Sequence, residues 1–379
     1  MKKLPESSKT YSHGTWIEID LSRFQANLRL IRHAIGPKVK LCFPVKANAY
    51  GHGIAKMALA AQNLVDYFGV SCLQEGMQLR ALGIKTPIIM LGAIDTDQMR
   101  DAIAHDIILT IASDYKAQRA SEVAKALNKI ATVHLEIETG MQRTGMRVDT
   151  AMEVVNHVSA DPWLSLQGVY SHFATADRPN DPNTLQQIQT FAAFIAPLKT
   201  RYPDLICHLA NSDGVIYYPQ SYFDMVRPGI LALGYANAAA TMPQFAEIKP
   251  FFSLKSRISF FKVVAENSGI SYGHAYKTKK QTRIVTVPIG YGDGYRRALS
   301  NKGSVLIRGK RYPIAGTICM DQFMVDIGQD EAYVGDEVTL IGTDHNETIS
   351  VNDLAQLCDT IAYEILCGFN NRIVRKYRE

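Results

Sequence analysis

Short apolar runs alternate with longer segments of helical period from residue 16 to about residue 230. The first unit shows the pattern. Asp20 stands where a helix N-cap is expected, apolar residues follow at three- and four-residue spacing, and Gly36-Pro37 marks the end of the helix. This alternation is typical of βα units that build a parallel sheet.

Eight of the apolar runs predict strands of such a sheet. They cover residues 39–45, 67–71, 87–91, 107–111, 132–138, 166–173, 205–209 and 224–227. Eight parallel strands connected by helices predict an α/β fold of the TIM-like (β/α)8 barrel type. The run at 16–20 is one strand too many for this barrel, and we expect it to pair with a second domain.

The rhythm of the sequence changes after residue 240. Pro243 and Pro250 bracket a linker, and a helix is expected at 351–357. Strands are predicted at 252–265, 283–289, 305–314, 323–327 and 338–341, separated by turn signals such as Gly-Asp-Gly at 292–294. We therefore expect a barrel domain over residues 14–240 and a mostly β C-terminal domain over residues 241–379.

Composition and charge exclude several classes of function. The net charge of +5 is spread over the 379 residues, so we expect no nucleic-acid partner. The N-terminal residues lack the apolar segment of a secretory signal, and no apolar run reaches the roughly 18 residues that span a bilayer, which predicts a cytoplasmic protein without a membrane partner. No spacing indicates a metal site, a Ser-His-Asp triad or a nucleotide-binding glycine loop.

Lys46 directly follows the apolar run 41–45. In a parallel barrel, active sites lie at the carboxyl ends of the strands, so this amine is expected at the mouth of the barrel. A lysine amine that is held away from water becomes a nucleophile toward aldehydes, which is what Schiff-base formation needs.

The run VKANAYGHG at 45–53 closely resembles the cofactor-lysine motif of alanine racemases, which are barrel-type pyridoxal-phosphate enzymes. Eight further segments resemble motifs of that family and occur in the same order. They are ETGMQR at 138–143, YSHFATAD at 170–177, HLANS at 208–212, VRPG at 226–229, SYG at 271–273, GYGDG at 290–294, CMD at 319–321 and YE at 363–364. The resemblance spans residues 14–377, and nine ordered motifs are far more specific than any one of them.

This resemblance implies how the cofactor, pyridoxal 5'-phosphate, is held. Lys46 would carry it as a Schiff base, and His172 would lie at its ring. The phosphate would be bound by the hydroxyls of Tyr50, Ser212 and Tyr363 and by the backbone amides of Gly229 and Ile230. Arg227 would face the pyridine nitrogen and, because a guanidinium keeps its proton, leave that nitrogen largely unprotonated. The ring is then a weaker electron sink, which favours reprotonation of the substrate over transamination.

The resemblance also implies a two-base racemisation of alanine through a pyridoxal-phosphate aldimine, which would supply D-alanine for cell-wall peptidoglycan. Lys46 and Tyr272 would act on opposite faces of the substrate carbon, with His208 and Arg143 as the cationic help that a phenol base needs. Substrate binding would fall to Arg143, the Met320 amide and Tyr291, with Asp321 supporting. Because Tyr272, Tyr291 and Met320 belong to the second domain, the active form would be a homodimer with shared sites.

One position departs from the family pattern. Glu136 occupies the place where many members carry a carbamate-modified lysine. Our hypothesis is that its carboxylate supplies that negative charge and orients Arg143.

Three other readings stay open. Basic amino-acid decarboxylases share the barrel and β-domain plan, but place an acidic residue where Arg227 stands here. Non-catalytic pyridoxal-phosphate carriers lack the second domain. A racemase of broader amino-acid specificity on the same fold is the nearest alternative.

Overall fold

The computed structural model describes residues 14–236 and 242–379. It divides into two compact units, one of residues Leu21–Pro250 and one in which residues 14–20 join Phe251–Glu379. The predicted domain boundary between residues 240 and 241 lies outside the described residues, and the first unit continues ten residues beyond it.

The first unit is a nearly closed barrel of eight parallel strands, as predicted. Its strands are Lys40–Pro44, Tyr67–Val70, Ile88–Ala93, Ile107–Ile111, Ala131–Glu138, Leu164–Tyr170, Ile206–His208 and Met225–Val226. The first seven pair in this order, and the eighth pairs with the first. Between the final two, the amides of Asp224 and Arg227 donate to the carbonyls of Cys207 and Ala210, each over 2.9 Å. A short strand, Met146–Arg147, also pairs with Ala131–Glu138.

Helices connect these strands. They are Leu21–Ile35, Ile54–Ala61, Leu73–Ala81, Met99–Ala104, Asp114–Leu127, Val148–Ala160, Pro182–Arg201 and Ser212–Tyr217. Helix Leu21–Ile35 buries Phe24, Leu28 and Ile31 at helical spacing, and the Phe24 ring lies 5.1 Å from that of Phe43 on the first barrel strand. This apolar contact joins helix to sheet. Across residues 14–236 and 242–379, none of the helices has the length and apolar character needed to span a bilayer.

The second unit is mostly β. Its largest sheet has the order Lys310–Pro313, Ser304–Ile307, Glu337–Asp344, Phe252–Arg257, Trp16–Asp20 and Val374–Arg378, with Glu347–Ile349 paired to Glu337–Asp344. A three-stranded sheet contains Phe260–Val264, Thr282–Val287 and Phe323–Gly328, and Gly269–Ile270 pairs with Tyr276–Lys277. Helices Val351–Leu357 and Ala362–Gly368 lie near the end of the chain.

Two strand predictions in this unit were wrong. The run 252–265 is two strands in two different sheets, interrupted after Arg257. The run 305–314 is a hairpin, because Arg308 and Gly309 adopt φ of 50° and 75°, which reverses the chain. The second helix and the strands Gly269–Ile270, Tyr276–Lys277, Glu347–Ile349 and Val374–Arg378 were not predicted.

Candidate active site

The predicted site residues of the first unit lie at the carboxyl ends of its strands. Lys46 is two residues beyond Lys40–Pro44, His208 ends its strand, and Arg227 directly follows Met225–Val226. Glu136 lies two residues before the end of Ala131–Glu138, and His172 lies two residues beyond Leu164–Tyr170. Parallel strands of a barrel end at one face, so these side chains share the mouth where (β/α)8 enzymes carry their chemistry.

Lys46 opens a left-handed turn. Ala47, Asn48, Ala49 and Tyr50 all have φ between 51° and 55°, a conformation that costs a non-glycine residue roughly 1–2 kcal/mol. Hydrogen bonds hold the turn. The amide of Ala47 donates to Glu75 over 2.7 Å, and the Asn48 side chain accepts from the amide of Ile54 over 2.8 Å. Strain of this kind persists where surrounding structure enforces it, and it is concentrated at functional sites.

Tyr50 is buried at the end of this turn, against Gly229. A Cβ placed on Gly229 would lie 2.6 Å from the Tyr50 hydroxyl oxygen, so only glycine leaves room for that hydroxyl. Ser212, also buried, accepts a hydrogen bond from the amide of Leu231 over 3.1 Å. Two hydroxyls and the turn at Gly229 and Ile230 therefore form one polar cradle that lacks bulk, as a phosphate requires.

Arg227 is 4% exposed, and its described hydrogen-bond partners are neutral. Nη1 donates to Nδ1 of His208 over 2.7 Å, and Nη2 donates to the carbonyl of Ser171 over 2.8 Å. Longer contacts of Nη2 reach the carbonyl of Leu209 at 3.2 Å and Nδ1 of His172 at 3.3 Å. These bonds hold the guanidinium in one orientation. Burial lowers the pKa of Arg227 from its usual value.

The pKa values of the histidines around Arg227 are lowered, which favours their neutral forms. Burial, together with the cations Arg227, Arg143 and Lys46, lowers the pKa of His172 to about 3. Burial and Arg227 hold the pKa of His208 well below its ordinary value. This lowered pKa argues against the cationic help that the resemblance implied for His208, and that role stays a prediction.

Sequence reasoning missed His134, which is fully buried beside His208. Its Nδ1 lies 2.9 Å from Nε2 of His208, and its Nε2 lies 3.2 Å from Oε1 of Gln167. Burial lowers the pKa of His134 to about 4. A signal was present in the sequence, since His134 stands two residues before Glu136 on the same face of the alternating run 131–138.

A small cleft brings Glu136 close to Arg143, with Thr144, Ser171 and His172 also in its lining. The Thr144 hydroxyl donates to one oxygen of the buried Glu136 carboxylate over 2.8 Å. The other oxygen accepts no hydrogen bond from the described residues. Arg143 is exposed, and no ion pair between it and Glu136 occurs among the described residues. The orienting role of Glu136 stays a prediction.

In the second unit, the predicted base Tyr272 begins a short 3₁₀ turn, Tyr272–His274, and is 71% exposed. Its neighbour Ser271 adopts φ of 65° and donates its hydroxyl to the carbonyl of Thr317 over 2.6 Å. The Thr317 hydroxyl in turn donates to the carbonyl of Tyr272 over 3.3 Å. The turn is thereby fixed to the segment that leads to Met320.

Tyr291 and Met320 are joined by backbone contacts. The amides of Tyr291 and Gly292 donate to the carbonyls of Cys319 and Met320 over 3.1 and 2.8 Å. Arg372, which sequence reasoning missed, links the same two segments, because its guanidinium pairs with Asp293 at 3.2 Å and with Asp321 at 2.8 Å.

Tyr291 and Met320 are 44% and 54% exposed. The exposed residues Tyr272 and Tyr291 therefore lie in turns that are hydrogen-bonded to the segment 316–321, which contains Met320. Tyr363 lies in helix Ala362–Gly368 of this unit and is half-buried.

Two family models match the chain: the alanine racemase N-terminal domain over residues 19–237 and the alanine racemase C-terminal domain over residues 251–377. An alanine racemase of Halothermothrix orenii is 37% identical, covering 98% of both chains. That of Synechocystis is 39% identical, covering 95% of this chain and 98% of its own. The crystal structure of alanine racemase from Bacillus anthracis with bound L-Ala-P superposes with a TM-score of 0.91 at 33% identity, covering 98% of this chain and 96% of that one.

A (β/α)8 barrel with a lysine at its mouth and a separate β unit is the plan of barrel-type pyridoxal-phosphate enzymes, and the two matching family models narrow that class to the racemases. Both family models and these relatives cover nearly the whole chain. The chain belongs to the alanine racemase family, whose members depend on pyridoxal phosphate.

Proposed function

We propose that this protein interconverts L-alanine and D-alanine with pyridoxal 5'-phosphate. The enzyme would act in the cytoplasm, and its D-alanine would be used for cell-wall synthesis. The observation that carries the proposal is the cluster at one barrel mouth: the amine of Lys46, the glycine-lined cradle beside Tyr50 and the buried Arg227. An aldehyde, a phosphate and an aromatic nitrogen are the groups that these three features suit.

The residues present fit that cofactor. Tyr50, Ser212, Gly229, Ile230 and Tyr363 would hold the phosphate, and Lys46 would hold the aldehyde carbon. His172 would lie at the ring, and Arg227 can only donate to the ring nitrogen, because its guanidinium keeps its protons. When bound, pyridoxal phosphate delocalises the negative charge left on the substrate α-carbon after loss of its hydrogen.

Lys46 and Tyr272 are the proposed bases. Racemisation needs one group to remove a proton from one face of the carbon and another to deliver a proton to the opposite face. The Lys46 amine would serve one face and the Tyr272 hydroxyl the other. Tyr272 is 71% exposed, which suits a side chain that completes the site of a second copy of the chain.

Substrate binding is proposed for Arg143, the Met320 amide and Tyr291, with Asp321 supporting Met320 through Arg372. An exposed guanidinium such as that of Arg143 is free to take a carboxylate in a two-pronged hydrogen bond. The buried Glu136 carboxylate in the same cleft would orient it. If so, Glu136→Gln raises the KM for alanine more than it lowers kcat, and an unchanged KM would remove Glu136 from the site.

The test of the whole proposal is incubation of the holoenzyme with L-alanine in deuterated water. We expect D-alanine to form with deuterium at the α-carbon, and Lys46→Ala to abolish both. Deuteration without inversion would contradict the two-base reaction. Faster turnover of other amino acids than of alanine would favour the broader racemase, and cell fractionation tests the cytoplasmic location.

A further inference from the structure

We propose that His134 is a positioning residue: it holds His208 in the neutral tautomer that accepts a hydrogen bond from Arg227. Its catalytic consequence rests on the function proposed above. The tautomer itself is a property of the protein alone, so the two can be tested separately.

The direction of each hydrogen bond follows from Arg227. A guanidinium has only donors, so Nδ1 of His208, 2.7 Å from Nη1, must present its lone pair. A neutral His208 then carries its proton on Nε2 and donates it to Nδ1 of His134 over 2.9 Å. His134 in turn carries its proton on Nε2 and donates to Oε1 of Gln167 over 3.2 Å. One chain of donors therefore runs from Arg227 to Gln167.

The strands are built to admit this second histidine. His134 pairs in register with Gly168 on the neighbouring strand, just after an irregularity between Val133 and His134. A Cβ on Gly168 would lie 2.4 Å from Cε1 and 2.5 Å from Nδ1 of the His134 ring. Only glycine leaves room for the imidazole there.

His208 is also held in place by stacking. The Tyr170 ring lies parallel to it, with centroids 4.9 Å apart and an angle of 12° between the planes. The Arg227 guanidinium lies over the Tyr170 ring, 5.4 Å from its centroid. Stacking fixes the plane of the His208 ring but does not choose its tautomer, which the Arg227 donor on one side and the His134 acceptor on the other specify together.

Loss of the acceptor on His134 would leave the Nε2 proton of His208 buried and unsatisfied. A buried donor without a partner is costly, so the ring would turn or the Arg227–His208 bond would weaken. Arg227 would then lose the orientation with which it is proposed to meet the cofactor nitrogen. His134 acts through two other residues and touches neither cofactor nor substrate in this scheme.

The experiment compares His134→Leu with His134→Asn. Leucine fills the space without an acceptor, whereas the asparagine side-chain oxygen can stand near the place of Nδ1 and accept from His208. Protein with 15N-labelled histidine rings, free of cofactor, reports the tautomers by NMR. We expect Nε2-protonated rings for His208 and His134 in the wild type, a changed His208 signal in His134→Leu, and a wild-type His208 signal in His134→Asn.

The catalytic readout uses the same proteins. We expect His134→Leu to lower kcat and the affinity for pyridoxal phosphate each by about tenfold, with KM for alanine little changed, and His134→Asn to recover most of both. The absorption spectrum of the bound cofactor should shift in the leucine variant only. Asn27→Leu is the matched control, because Asn27 is a fully buried polar residue of the same barrel, bonded to the carbonyls of Ala232 and Lys249. It should lower stability without changing the His208 signals or the spectrum.

A folded His134→Leu protein with wild-type His208 signals, kcat and spectrum would overturn the inference. If that variant does not fold, Gln167→Leu decides, since it removes the acceptor of the His134 ring; unchanged ring signals there would equally overturn it. A wild type that shows the expected tautomers but racemises nothing would refute the proposed function and leave the tautomer assignment standing.

Discussion

The Arg227 guanidinium is a cation buried at the barrel mouth, and its histidine neighbours are neutral hydrogen-bond partners. His134 and His208 are both fully buried, and burial is the main cause of their lowered pKa values. An unfolded chain, in contrast, exposes these rings to water with pKa values near 6.5. Folding therefore excludes protons from these two rings, and stability must depend on pH.

The sign follows from linkage. Below pH 6.5 the unfolded chain binds protons at these histidines that the folded protein does not, so stability is lost as the pH falls from 6.5 toward about 4, the pKa of His134 in the folded state. Each ring contributes up to about 1.4 kcal/mol per pH unit. Urea unfolding at pH 7.5, 6.5 and 5.5 measures this slope. His134→Asn should reduce this slope by the contribution of one histidine ring, whereas substitution of the exposed His105 by asparagine should leave the slope unchanged. Equal slopes in the wild type and both variants would contradict the argument.

Gly229 gives a second prediction at the scale of single residues. An alanine Cβ there would lie 2.6 Å from the Tyr50 hydroxyl oxygen, so we expect Gly229→Ala to displace that hydroxyl and weaken cofactor binding by about tenfold. Titration of the apoenzyme with pyridoxal phosphate, followed by absorbance, measures this. In a Tyr50→Phe background the clash with the hydroxyl is gone, so the same substitution should cost less, and additive losses would refute the contact.

At the scale of elements, the eight barrel strands were predictable because each is a short run rich in apolar residues that alternates with a segment of helical period. The pattern could not show which sheet a strand joins: residues 252–265 contain no glycine or proline to mark the point where the chain changes sheets. The left-handed turn Ala47–Tyr50 was equally invisible. Two alanines and a tyrosine avoid that conformation unless tertiary contacts, such as the Glu75 carboxylate, impose it.

The site shows the same limit. Family motifs led to Lys46, Arg227 and Tyr272, because a motif marks residues with fixed chemistry. They did not lead to His134 or Arg372, whose importance appears only when the strands and segments that surround them are brought together.

Arg372 offers a prediction at the scale of elements. It ties the segment of Tyr291 to that of Met320 through Asp293 and Asp321. We expect Arg372→Gln to raise KM for alanine several-fold with a smaller change in kcat, because both segments are proposed to bind substrate. Steady-state kinetics test this, with Arg378→Gln as control, since it removes an ion pair to Glu18 elsewhere in the same unit. Equal kinetics for the two variants would remove Arg372 from the site.

At the scale of the whole molecule, the proposal requires two copies of the chain. Lys46 lies in one unit and Tyr272 in the other, and in the proposed homodimer a shared site would combine the Lys46 of one copy with the Tyr272 of its partner. Inactive Lys46→Ala and Tyr272→Phe proteins, unfolded together and refolded as a mixture, should therefore regain about a quarter of wild-type activity, since half of the dimers are mixed and each mixed dimer has one intact site. No recovery, with mixed dimers demonstrated by mass, would place both residues of a site in one chain.

Strand Trp16–Asp20 lies between Phe252–Arg257 and Val374–Arg378, so the first strand among the described residues is flanked by two strands that follow it by more than 230 and 350 residues. On the ribosome, the barrel residues emerge long before either neighbour does. Trp16–Asp20 therefore lacks both of its neighbouring strands through most of translation. Its sheet can be completed only once residue 378 has left the exit tunnel.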